Sequence, residues 1–127
     1  MTIDKVPMHR VLTCSADDSV SHVAQVLKKN KDRRVFVVDK QKRLQGIITT
    51  TDLTYKAIAT GKTGLKAKQV MTKNVASIDV KDDIGKALHI MNKLKSFVCP
   101  ITDKGKIVGI VSYHDLVRYL CSTVKQE

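Results

Sequence analysis

Two stretches of this chain hold the residues with chemistry to offer: GIITTTDL, from Gly46 to Leu53, and GIVSYHDL, from Gly109 to Leu116. In each, Gly46 or Gly109 leads to a hydroxyl, Thr49 or Ser112, and then to a carboxylate, Asp52 or Asp115. Where such a stretch passes from strand to helix, free backbone N–H groups and the positive end of the helix dipole suit a phosphate. The glycine lets a ligand approach the backbone closely. The hydroxyl can donate to a phosphate oxygen, and the acceptor-only carboxylate can take both hydroxyls of a ribose. Helix capping needs the same residues, a hydroxyl at the helix start and an acid in its first turn, so one copy alone reads more readily as a cap than as a site.

The elements that must position these residues are themselves duplicated. A shift of 64 lays Val11 on Val75, Val20 on Ile84, Leu27 on Met91 and Asp39 on Asp103; from Gly46 on Gly109 the shift is 63. The missing residue falls in the turn after Asp39, where a hairpin tolerates an insertion. In each copy the pattern predicts a short strand (VLTCS, VASID), a helix, two strands (VFVVD and LQGIIT; CPITD and IVGIVS) and a second helix. Val20, Val23, Ala24 and Leu27 recur at helical spacing after the capping candidates Asp18 and Ser19. Ile84, Ala87, Leu88, Met91 and Leu94 do so after Asp82–Asp83. Gly61 is expected to end the second helix of the first copy. The fold class is α/β in the α+β sense, two tandem β-α-β-β-α repeats packed as a pseudo-twofold pair. The expected division is 1–60, a Lys- and Gly-rich linker 61–69, and 70–127. A single repeat would have a thin core, so the two are expected to pack together.

Composition narrows the function classes. Lys and Arg number 23 against 12 acids, a net charge of +11, which implies attraction to anions or reflects a Lys-rich soluble surface. The charge is scattered, and with two Phe, three Tyr and no Trp the chain is poorly equipped to read bases by stacking; nucleic acid is disfavoured as a partner. Cys14, Cys99 and Cys121 stand among apolar neighbours in no metal-binding or CxxC spacing, which reads as free thiols in a cytoplasmic, reducing compartment. No stretch has the length of a signal peptide core or membrane span. Neither a nucleophile–base pairing, a metal-ligand cluster nor a P-loop is readable, so catalysis is not expected, no metal site is expected and no cofactor is required. His9, His22 and His89 read as surface residues, and Met71 and Met91 as packing.

These residues resemble the CBS-domain pair, or Bateman module, over most of the chain from Val6 to Leu120. The resemblance rests on the doubled apolar-Gly-apolar-apolar-[Ser/Thr]-x-x-Asp-Leu motif, with VMT at Val70–Thr72 and PITDKGKIVGIVSYHDL from Pro100. The first copy departs from the pattern at Phe36, where the family usually has Pro, and in a longer turn lacking the counterpart of Gly105. The resemblance implies a regulatory module, without an effector domain in this sequence, that binds AMP, ADP, ATP or S-adenosylmethionine in the cleft between the repeats and signals by conformational change. It tips the two-copy motif from cap toward ligand binding.

By the same resemblance, Arg33 and Arg34 would contact phosphate, or else form a solvated turn. Their counterparts Phe97 and Val98 leave the second site more apolar. His114 is either a phosphate contact or an exposed helix residue. Thr13 and Ser77 would line the nucleoside pocket, or else satisfy nearby backbone groups. A face-to-face homodimer and an effector protein are the implied partners. A purely structural dimerisation module and a basic nucleic-acid-binding protein are the competing classes; magnesium sensing would want acidic clusters.

Overall fold

The computed structural model describes residues 1–125. The chain divides into two compact units that are cut differently from the sequence repeats: Leu12–Val75 is one, and Met1–Val11 with Ala76–Glu127 is the other. We call the second the composite unit.

The 12–75 unit is built on a sheet of β1 (Thr13–Ser15), β2 (Arg34–Val38) and β3 (Leu44–Thr49) in that order, β1 parallel and β3 antiparallel to β2. Helix α1 (Val20–Asn30) starts where Ser19 Oγ accepts from the His22 N–H at 3.0 Å, and ends at Lys31 in the left-handed region (φ 52°). Its apolar stripe places Val23 and Leu27 against Val35, Val37 and Ile48 of the sheet. After β3 the chain makes one α-helical turn, α2 (Thr50–Asp52). It then widens over Leu53–Ile58 into a π-helix closed by Ala59 N–H donating to Thr54 O, with Gly61 (φ 66°) beyond it. The expected regular helix over TDLTYKAIATG is therefore replaced by a short, wide one. A short helix, α3 (Ala67–Val70), completes this unit, and Leu65, Ala67 and Val70 pack in its core although 61–69 reads as a linker in sequence. Apolar burial, not the surrounding lysines and glycines, decides the fate of that segment.

In the composite unit, β4 (Ile78–Asp79), β5 (Val98–Asp103) and β6 (Lys106–Ser112) repeat the sheet order and directions. Helix α4 (Ile84–Leu94) is capped by Asp83, which accepts from Gly85 and Lys86, and again ends on a left-handed lysine, Lys95 (φ 53°). Lys104 and Gly105 (φ 53° and 81°) make the tight turn between β5 and β6. The longer first-copy turn instead uses Lys42 (φ 65°) and is held by Asp39, whose carboxylate accepts from the Gln41 and Arg43 amides and pairs with the Arg43 guanidinium. Helix α5 (Tyr113–Lys125) follows β6 directly. Ile3 and Val6, from a 3₁₀ turn at Ile3–Lys5, are buried here with Ile78, Ile101 and Leu116.

The N-terminal segment does for the composite unit what residues 65–72 do for the other. Ala67 N–H donates to Asp18 O, Lys68 to Ala16 O, and Val20 to Leu65 O. The matching bonds are Ile3 to Asp82 O, Asp4 to Val80 O, and Ile84 to Met1 O, every partner displaced by 64 positions. Each repeat body is thus strapped by the segment that precedes the other body in sequence.

The two motif corners

Both motifs lie at the expected strand-to-helix corner. At the first, Thr49 caps α2 and forms a reciprocal box with Asp52: Asp52 N–H donates to Thr49 Oγ1 (3.2 Å), while Thr49 N–H donates back to Asp52 Oδ2 (2.9 Å). The Thr49 hydroxyl also donates to Oδ2, at 3.1 Å. The other oxygen, Oδ1, pairs with Lys56 Nζ at 2.9 Å and accepts from the Thr72 hydroxyl at 3.2 Å. Lys56 further bonds Val70 O and Thr72 Oγ1, tying the π-helix to the strap. The Asp52 side chain is only 11% exposed. Its burial opposes ionisation, but the Thr49 amide, the Lys56 ammonium and the Thr49 hydroxyl outweigh it and hold the carboxyl below its usual range.

The second corner repeats the box and changes everything around it. Ser112 N–H donates to Asp115 Oδ2 (2.9 Å) and Asp115 N–H to Ser112 Oγ (3.0 Å). Among the described residues no lysine pairs with it; instead His9 Nε2 lies 2.9 Å from the same Oδ2, from a side chain 63% exposed against 17% for Asp115. Burial again raises the Asp115 carboxyl, and the Ser112 bonds with the His9 partner more than offset it, leaving it lowered. A cleft of about 300 Å³ opens beside this carboxylate, lined by Pro7, His9, Asp115, Arg118, Tyr119 and Ser122. Clefts of about 410 and 140 Å³ on the 12–75 unit are lined by α1, α2 and the π-helix, with Asp52 outside both linings.

The glycines face the straps. A Cβ on Gly46 would sit 2.8 Å from both Met71 Sδ and Thr72 O, and one on Gly109 would meet Met8 Cβ at 3.0 Å and His9 O at 3.2 Å. The close approach that requires glycine is therefore made by the chain itself.

Arg34 lies opposite Thr49 across the β2–β3 pair and Arg33 O accepts from the Thr50 N–H, so both arginines border the first corner. Phe97 and Val98 hold those places at the second, with Phe97 O accepting from Tyr113. His114 is exposed, and its Nε2 accepts from Arg118 Nη2 at 2.8 Å. Thr13 is exposed opposite Phe36, which lies opposite Ile47, so it stands about two strand spacings, roughly 10 Å, from β3. Ser77, just before β4, is exposed.

Residue-by-residue reading misses Lys56, Thr72, Arg118 and His9; His9 is a partner of Asp115, not an uncommitted surface histidine. The signal for it is the match of Met8-His9 to Met71-Thr72, which lies one place out of the 64-residue register that holds at Val11. Cys14 and Cys99 are buried as expected, whereas Cys121 is exposed because it falls on the outer side of α5. Among the described residues no His/Cys/Asp/Glu group could hold a metal ion, and no helix is long and apolar enough to cross a membrane.

Two strand-helix units, each presenting a boxed hydroxyl–carboxylate pair at its β-to-α corner, define a tandem-repeat α+β module. The CBS domain matches residues 3–58 and 67–122, and the chain belongs to that family. Both matches begin at the strap. An uncharacterized protein of Methanopyrus kandleri is 26% identical over all of this chain and 68% of its own length. Inosine-5'-monophosphate dehydrogenase of Methanocaldococcus jannaschii is 33% identical over 91% of this chain, which spans 23% of that enzyme. A CBS-domain pair solved with 5'-methylthioadenosine and S-adenosyl-L-methionine is 24% identical, covers 97% of this chain and 98% of its own, and has a TM-score of 0.74. CBSX2 in complex with AMP is 19% identical at a TM-score of 0.77, over 97% and 98%.

Proposed function

We propose that this protein is a regulatory ligand-binding module that takes an adenosine compound of the AMP, ADP, ATP or S-adenosylmethionine type at its motif chemistry. The observation that carries the reading is the boxed carboxylate: an ionised acid, fixed beside a hydroxyl and a helix start, suits a ribose and its phosphate. Membership of a family whose similar structures include complexes with AMP and with S-adenosyl-L-methionine supports it. The reading assigns no catalysis. Occupancy is passed on by favouring one arrangement of this chain, or of its complex with an effector or a second copy, over another; equal binding to both would transmit nothing.

Isothermal titration calorimetry against AMP, ADP, ATP and S-adenosylmethionine, at low and moderate salt, tests the reading. Saturable binding with weak salt dependence supports it. Silence from all four leaves an interaction module. The charge of +11 supports a second reading, polyanion binding, whose affinity would fall steeply with salt.

A further inference from the structure

The two carboxylates differ in what they have left to give. An ionised carboxylate offers about four lone-pair sites. Asp52 meets four donors: the Thr49 amide and hydroxyl on Oδ2, and Lys56 Nζ and the Thr72 hydroxyl on Oδ1. It is saturated from within the 12–75 unit. Asp115 spends one oxygen, Oδ2, on the Ser112 amide and His9. Among the described residues no donor reaches its Oδ1. The cleft of about 300 Å³ opens at this second acid, a size at the lower end of small-molecule sites, which run from about 300 to 1,000 Å³.

The lining adds a sign. Arg118 gives one nitrogen to His114 and retains further guanidinium donors in the cleft, while the Nε2 of His9 is already engaged by Asp115. At the corresponding positions of the first motif, displaced by 63, Arg118 is replaced by Tyr55 and Tyr119 by Lys56, the residue that closes Asp52. A cationic guanidinium favours an anionic ligand and disfavours a sulfonium.

Resting on the function proposed above, we propose that only the Asp115 corner takes a ligand, that this ligand is a nucleoside phosphate with an intact ribose diol, and that the Asp52 corner is a closed structural cap. Asp115 Oδ1 accepts the diol, Arg118 receives the phosphate, and His9 sets the orientation of the carboxylate.

The test is an amide NMR titration of the full chain with AMP, ATP, 2'-deoxy-ATP and S-adenosylmethionine, with stoichiometry by calorimetry. The expected result is one AMP or ATP per chain. Shifts should be centred on His9 and Ser112–Tyr119, with Thr49–Asp52 quiet, and affinity for 2'-deoxy-ATP at least about tenfold weaker than for ATP, the loss of a hydrogen bond to a charged acceptor. Asp115→Asn should weaken ATP binding by a similar factor or more while keeping the spectrum of a folded chain. Two nucleotides per chain, or shifts at Thr49–Asp52, would overturn the inference and leave the proposed function standing, as would a response to S-adenosylmethionine alone. No shift with any of the four compounds overturns both.

Discussion

Thr72 and His9 stand at the same place in the two units. Thr72 exchanges two backbone hydrogen bonds with Ile47 (3.0 and 2.8 Å), and His9 exchanges two with Ile110 (2.9 and 3.1 Å). Each then turns its side chain to the motif carboxylate, so one hydroxyl and one imidazole sit beside matching hydroxyl–carboxylate boxes. The repeat preserves the backbone and varies the partner, which is how two copies of one motif come to differ in chemistry.

The straps over the glycines predict an ordered pair of destabilisations. Gly46→Ala forces a Cβ against the Thr72 carbonyl, a backbone atom that cannot swing away, and overpacking of this kind costs about 1–3 kcal/mol. Gly109→Ala meets its neighbours at 3.0 and 3.2 Å and should cost less. Urea unfolding of the two variants should give the lower midpoint for Gly46→Ala.

Asp52 makes stability depend on acid. Its folded carboxyl lies below the ordinary value, so it contributes stability that is fully present above the unfolded pKa of about 3.9 and is lost as pH falls through the lower folded value. Asp52→Asn should therefore lower the melting temperature near pH 7 and flatten its decline below about pH 4. Thermal melts from pH 7 to pH 2 compare the slopes; parallel curves would count against the ionic role.

Ile3 tests the strap. It is fully buried in the core of the composite unit, and removing such a side chain costs about 2–5 kcal/mol. Hydrogen exchange of Ile3→Ala should show lost protection in β5 and β6, far along the chain from the substitution. Loss confined to residues near the N-terminus would contradict the strapping.

The thiols should separate by burial. Burial pushes Cys14 and Cys99 up to about 11, the carboxylate of Asp18 adding to the former, while Cys121 is exposed. Iodoacetamide at pH 8 should label Cys121 alone in the native protein and all three in denaturant, as read by intact mass.

Much of this was legible in the sequence because its signals are local. The apolar stripes of α1 and α4, the caps Ser19 and Asp83, the turn at Lys104-Gly105 and both hydroxyl–carboxylate boxes follow from spacing over a few residues. The straps do not, because the pairing of Met1 with Ile84 or of Leu65 with Val20 is set by burial across tens of residues and leaves no short periodicity. For the same reason Lys56 was readable as a helix charge and not as the partner that fills Asp52. The π-helix was hidden as well: TDLTYKAIATG carries the pattern of an ordinary amphipathic helix, and the structure gives no single residue as the cause of its widening.

The crossed straps also impose an order on synthesis. Residues 12–75 hold every member of one core cluster, from Cys14 to Val70, and that cluster can assemble once Val75 clears the ribosome. Residues 1–11, although made before that unit, must wait with Ile3 and Val6 uncovered until Leu116 has been translated. Residues 1–11 are thus made before the 12–75 unit and placed after it, and a ribosome stalled between the two bodies would hold one closed unit with the apolar Ile3–Val6 segment still exposed.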